Sequence, residues 1–189
     1  MVNDPDFHIA EIKRFLPAEK SVVFVGMMGA GKSTVGRRLA FQLNMNFIDT
    51  DVEIENAAQL SISEIFADYG EKHFRDIEKK IIIRLLKENK GVISVGGGAF
   101  MDESLREHIR EQGISIWLHA DFDTLMKRVH NQEHRPLLTQ DDPEKVMRNL
   151  IEKRYPIYQQ SDISIANNDL SLDKTMQIVL SSLYNYLKN

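Results

Sequence analysis

Eight residues, GMMGAGKS from Gly26 to Ser33, constrain this chain more than any others. They match the spacing of a glycine, four residues and then Gly-Lys-Ser, and they follow directly on an apolar run, SVVFV at Ser21–Val25. A run of that kind suits a strand covered on both faces. Beyond it, Val35, Leu39, Ala40 and Leu43 recur at helical spacing from Lys32 onward. Strand, glycine-rich turn and helix in this order make a phosphate loop. The glycines let backbone N–H groups curl around a β-phosphate, and the helix N-terminus adds partial positive charge. Lys32 can then reach the β- and γ-oxygens, and Ser33 can ligate Mg²⁺. A nucleotide with its metal ion is the expected ligand.

The same alternation continues along the chain. NFID (Asn46–Asp49) reads as a short strand; Ser61 and Glu64 have capping-box spacing, and Gly70 is a plausible helix stop. Phe74, Ile77, Ile81 and Leu85 mark a long helix, and Val92–Val95 is a buried strand closed by Gly96, Gly97 and Gly98. A helix from about Asp102 to Gly113 leads to a strand at Ile114–Leu118, and Asp121 can cap a helix reaching about His130. A polar stretch runs to Asp142, the candidate mobile loop. Pro143 favours a helix start, and that helix must bend or end near Pro156. Asp162–Ala166 is the last strand and Leu172 opens the closing helix. Strands alternating with helices predict a parallel α/β sheet, whose ligands sit beyond the carboxyl ends of the strands. Residues 1–20 read either as disordered or as a helix laying Ile9, Ile12, Phe15 and Leu16 on the body.

Composition removes other classes. A chain of 189 residues with 42% hydrophobic and 28% charged residues fits one globular domain. It has no cysteine, hence no disulfide, thiolate metal site or cysteine nucleophile, which points to a reducing compartment. A net charge of -4 gives no general basic field for nucleic acid or an anionic membrane, so any anion site is local. Asp4, Asp6 and Glu11 interrupt what an export signal requires, and no window approaches a membrane span. The expectation is a cytoplasmic monomer acting on a small molecule, with no nucleic-acid or membrane partner. The histidines show no metal-ligand spacing, and Trp117 reads as core.

Several polar residues fall where the strand ends converge. Asp49 and Asp51 flank Thr50, and strand alternation would put both on one side, one facing the metal and the other a second substrate. Asp51 reads equally well as a helix N-cap before Val52. Arg75, Arg135 and Arg154 would each be ordinary solvated arginines in isolation, and Gly96–Gly98 an ordinary loop. Yet a triple glycine after a buried strand lets backbone N–H groups approach a ligand closely.

With GMMGAGKSTVGRRLA, FIDTD, IFADYGEKHFRDIE, ISVGGGA, RPLL and KRYPIY in that order, the chain resembles the shikimate kinase family from about Ser21 to Tyr158. The resemblance implies a single nucleoside-monophosphate-kinase-like domain over 1–189, with a five-stranded parallel sheet in the order 2-3-1-4-5. It implies a substrate-binding segment at about 51–80, an ATP lid at about 131–142 and an extension at 1–20. The implied reaction moves the γ-phosphate of ATP, with Mg²⁺, to the 3-hydroxyl of shikimate, giving shikimate 3-phosphate and ADP on the route to chorismate. Gly29, Ala30, Gly31, Lys32, Ser33 and Thr34 look like the nucleotide-phosphate residues, and Ser33 with Asp49 like the metal ligands. Asp51 resembles the carboxylate holding the substrate hydroxyls, Arg75 and Arg154 the pair gripping its carboxylate, and Gly97 and Gly98 its backbone contacts. Arg135 resembles the lid arginine facing the transferred phosphate, and Arg128 the adenine-stacking arginine. Glu133-His134 is not a mark of the family, and no contact is assigned at Ile165-Ala166-Asn167.

The residue types agree with that substrate. A small carboxylate bearing hydroxyls needs a bidentate cation for the acid and an anionic acceptor for the hydroxyls. Phosphoryl transfer has a loose transition state, so Asp51 serves alignment first and proton acceptance second. Two other readings use the same loop: a kinase for gluconate or a nucleoside monophosphate, and a nucleotide-binding regulator without catalysis.

Overall fold

A computed structural model describes residues 4–88, 90–129 and 142–189. Five strands form one parallel sheet: β1 (Ser21–Val25), β2 (Asn46–Asp49), β3 (Gly91–Ser94), β4 (Gly113–His119) and β5 (Ile163–Ala166). Their spatial order is β2-β3-β1-β4-β5, the order the resemblance implied. Central β1 pairs Val22 with Val92 on one side and with Ile114 on the other. Every residue of β1 and β3 is buried, as continuous apolar runs flanked by paired strands require. The edge strand β5 instead alternates buried and exposed positions.

Helices cover both faces: α1 (Pro5–Phe15), α2 (Lys32–Leu43), α3 (Thr50–Ala58), α4 (Ile62–Glu88), α5 (Glu103–Gln112), α6 (Phe122–Val129), α7 (Pro143–Tyr158) and α8 (Leu172–Lys188). Gly70 interrupts α4 with φ 80° and ψ 169°, a conformation that breaks the helix where a stop was expected. Ser61 and Glu64 make the reciprocal capping bonds at its start. Pro156 stands inside α7, which ends two residues later at Tyr158. Pro5–Phe15 forms α1 and packs on α8, with Ile12 fully buried and the rings of Phe7, His8 and Tyr184 in mutual contact. Phe15 is 40% exposed, so the expected apolar face is narrower than four residues.

Two boundaries differ from the sequence reading. The β3 strand opens at Gly91, one residue early, and Gly113 starts β4 instead of only closing a helix. Gly113 allows this because a Cβ there would sit 3.1 Å from the Ile109 carbonyl oxygen and 3.2 Å from that of Ser21. A third difference concerns the aspartates. Thr50 is already helical and Asp49, not Asp51, is the N-cap of α3. The two carboxylates are therefore related by a helix start rather than by strand alternation. The expected lid at 131–142, including Arg135, Glu133 and His134, lies outside the described residues except for Asp142, which caps α7 through the Lys145 N–H. Among the described residues no helix is long and apolar enough to cross a membrane.

Candidate active site

The loop between β1 and α2 has the shape its sequence demands. Gly29 (φ 76°) and Gly31 (φ 94°) occupy left-handed conformations, and a Cβ on Gly29 would press on the Val129 side chain at 2.8 Å. Lys32 folds back so that Nζ donates to the carbonyls of Gly26 and Met27, both at 3.0 Å. Beside it, Ser33 Oγ donates to Asp49 Oδ2 at 2.7 Å and lies 3.4 Å from Ser94 Oγ. Asp49 Oδ1 meanwhile accepts from the Asp51 N–H at 3.2 Å, which fixes its carboxylate. A hydroxyl and a carboxylate oxygen side by side at a helix N-terminus suit Mg²⁺, which takes one or two protein ligands and completes its octahedron with phosphate and water.

This loop floors a cavity of about 460 Å³ that also reaches Arg128, Asn167 and Thr175. Arg128 Nη2 donates to the Asn167 carbonyl at 3.1 Å and Nη1 approaches that of Gly29 at 3.4 Å. Asn167 went unassigned in the sequence, yet it is 4% exposed. Its Nδ2 donates to the Ala30 carbonyl at 2.8 Å, and its Oδ1 accepts from Thr175 Oγ1 at 2.8 Å. It thus ties the phosphate loop to α8.

A second cavity, about 720 Å³, collects Asp51, Arg75, Gly96, Gly97, Gly98 and Arg154, with Phe66 and Phe74 on its apolar side. Residues scattered over a hundred positions of sequence do gather in one hollow. The triple glycine is what lets them. A Cβ on Gly96 would overlap Glu78 Oε1 and stand 3.2 Å from Asp51 Oδ1, and one on Gly98 would overlap the Arg75 guanidinium. At Gly97 it would lie 3.2 Å from Arg154 Nη1 and 3.4 Å from the Gly26 carbonyl oxygen. That carbonyl also accepts from Lys32, and Met28 of the same loop lines this hollow, so the phosphate loop borders both cavities.

Glu78 is the buried residue that the sequence reading left without a role. At 1% exposure it pairs Oε2 with Arg75 Nη1 at 2.6 Å, while Oε1 has no partner among the described residues. The signal was present in Phe-Arg-x-x-Glu, since an i,i+3 spacing sets the two side chains on one helix face. Burial pushes the Glu78 carboxyl above the ordinary carboxylate range, against the pull of Arg75, with Asp51 adding to the rise. A carboxyl whose pKa is higher in the native than in the unfolded state binds protons more readily when folded. Its contribution to stability is therefore lost as pH rises from the unfolded value toward the native one. The expected result is that the melting-temperature difference between wild type and Glu78→Gln shifts in favour of wild type as pH falls from 7 toward 4. A pH-independent difference in thermal melts would contradict the assignment.

The family model for shikimate kinase matches residues 28–184. The shikimate kinase of Rhodopseudomonas palustris is 48% identical over 169 residues, covering 89% of this chain and 83% of that protein. Among solved structures, shikimate kinase from Acinetobacter baumannii in complex with shikimate superposes with a TM-score of 0.85 at 32% identity, covering 92% of this chain and 98% of that one. The Aquifex aeolicus shikimate kinase gives 0.76 at 33% identity over 86% and 95%. Phosphate loop, glycine-lined hollow and these matches agree: the chain belongs to the shikimate kinase family and is an ATP-dependent kinase.

Proposed function

We propose that the protein transfers the γ-phosphate of ATP to the 3-hydroxyl of shikimate, releasing ADP. One observation carries this reading: a single loop lines both cavities, with Met28 on the hollow that holds two arginines and an aspartate, and Gly29, Gly31, Lys32 and Ser33 on the phosphate cradle. Arg154 and Arg75 supply the charged, forked donors a carboxylate needs, and Asp51 supplies the acceptor for hydroxyls. Asp51 orients the attacking hydroxyl toward the phosphate bound at Lys32, and alignment of this kind is the larger part of catalysis for a loose transition state. The Gly97 and Gly98 N–H groups carry no hydrogen bond to another described residue and line the hollow, where they serve as donors to the substrate. Ser33 and Asp49 would hold Mg²⁺, which when bound neutralises charge on the phosphates. Arg128 and Asn167 border the end of the nucleotide cavity where a base would sit. Arg135, outside the described residues, has the role of covering the transferred phosphate.

Coupled ADP production tests this with shikimate, gluconate and nucleoside monophosphates offered in turn. Turnover on shikimate alone is expected. Faster turnover on gluconate or a nucleotide would assign the hollow to another acceptor, and tight ATP binding without ADP release on any acceptor would favour a regulator.

A further inference from the structure

Tyr158 is the last residue of α7 and stands one turn beyond Arg154 on the same helix face. Its side chain is fully buried, and its hydroxyl donates to the Gly97 carbonyl. The same hydroxyl lies 4.0 Å from Met27 Sδ, and Arg154 Nη1 approaches that sulfur at 3.9 Å. Met27 in turn gives its backbone carbonyl to Lys32 Nζ. A fully buried phenol has to satisfy its O–H, and Phe100 and Trp117, with ring centroids 6.3 and 5.8 Å from its own, leave it little freedom to turn elsewhere.

The Gly97 carbonyl and the Gly98 N–H belong to one planar trans peptide, so fixing the first fixes the direction of the second. This peptide is the middle one of a turn that the Ala99 N–H closes on the Gly96 carbonyl, and with no Cβ on either residue side-chain sterics do not fix which way it faces. The neighbouring arginine is held from the same corner. Burial raises the Tyr158 phenol to about 12, with Arg154 opposing the rise, so at neutral pH the group is a permanent donor.

We propose that Tyr158 is a positioning residue for the acceptor substrate: its hydroxyl locks the Gly97–Gly98 peptide and seats Arg154, so that backbone donor and guanidinium converge on one carboxylate. It touches no reacting atom, so its effect falls on acceptor binding ahead of turnover. The inference rests on the proposed shikimate kinase reading.

The test is Tyr158→Phe in the full chain, which removes one oxygen and keeps the ring. Initial rates are measured with shikimate and ATP varied in turn, and the emission of Trp117, the only tryptophan, reports the packing beside the ring. The shikimate KM is expected to rise roughly tenfold or more, the range for a lost buried hydrogen bond whose acceptor stays behind. The ATP KM is expected to change less than about twofold and the unliganded emission to stay unchanged, since no direct phosphate contact is removed. Unchanged shikimate KM would overturn the proposal. So would an equal rise in both KM values, or loss of folded protein, either of which would give the hydroxyl a purely structural task. Wild-type enzyme assayed alongside separates the two claims: if it turns over no shikimate, the functional reading fails; if it does and the variant matches it, only the role of Tyr158 fails.

Discussion

Lys32→Met should lower kcat by about 10²–10³, the cost of deleting one preorganised donor to a developing charge. The side chain is anchored by two carbonyls of its own loop, those of Gly26 and Met27, so the ammonium is placed before any ligand arrives. Preorganisation of that kind is what makes a charge effective, because no reorganisation is required during the reaction. Methionine fills a similar volume and cannot replace the charge. The left-handed conformations of Gly29 and Gly31 stay accessible whatever the side chain at position 32, although the two bonds to Gly26 and Met27 are lost. The shikimate KM should therefore move little, and the melting temperature only slightly. A variant retaining wild-type turnover would show that the phosphates bind elsewhere.

Arg154→Ala should act on the other compartment, raising the shikimate KM by roughly 10²-fold, the effect of losing a charge-assisted pair of hydrogen bonds in a largely desolvated site. Arg154 is 7% exposed, stands at the triple glycine and shares the hollow with Arg75. Arg75 is already engaged by Glu78 and Glu71, so it cannot substitute fully. The deletion also removes a cation that holds the Glu78 carboxyl down, so that group should rise further. Lysine at this position should rescue only part of the loss, since a point charge does not reproduce a planar fork. Steady-state kinetics with shikimate varied at saturating ATP reads the change directly; an unaltered KM would remove Arg154 from the acceptor site.

How much of this could be read from the sequence depends on how local each determinant is. The phosphate loop was legible because its conformation is dictated by glycines at fixed offsets between a strand and a helix. The strand count followed from apolar runs, whereas their spatial order came from the family resemblance. Strand ends at Gly91 and Gly113 moved because the close approach of other chain segments, not local propensity, decides where pairing begins. Asp49 took the cap because helix geometry prevailed at Thr50 over continuation of a short, partly exposed strand. Glu78 and Asn167 were the hardest to see. A buried carboxylate and a buried amide look like surface residues in a string of letters, and only the partners folded against them, Arg75 for one and Ala30 and Thr175 for the other, make burial tolerable.

Parallel determination of kcat and both KM values for wild type, Lys32→Met and Arg154→Ala bears most directly on the idea of two adjoining compartments with separate tasks. The predicted outcome is a fall in turnover with near-normal shikimate affinity in the first variant, and a raised shikimate KM with near-normal ATP affinity in the second. Equal damage to the same parameter in both, or a raised ATP KM in Arg154→Ala without any change for shikimate, would contradict it.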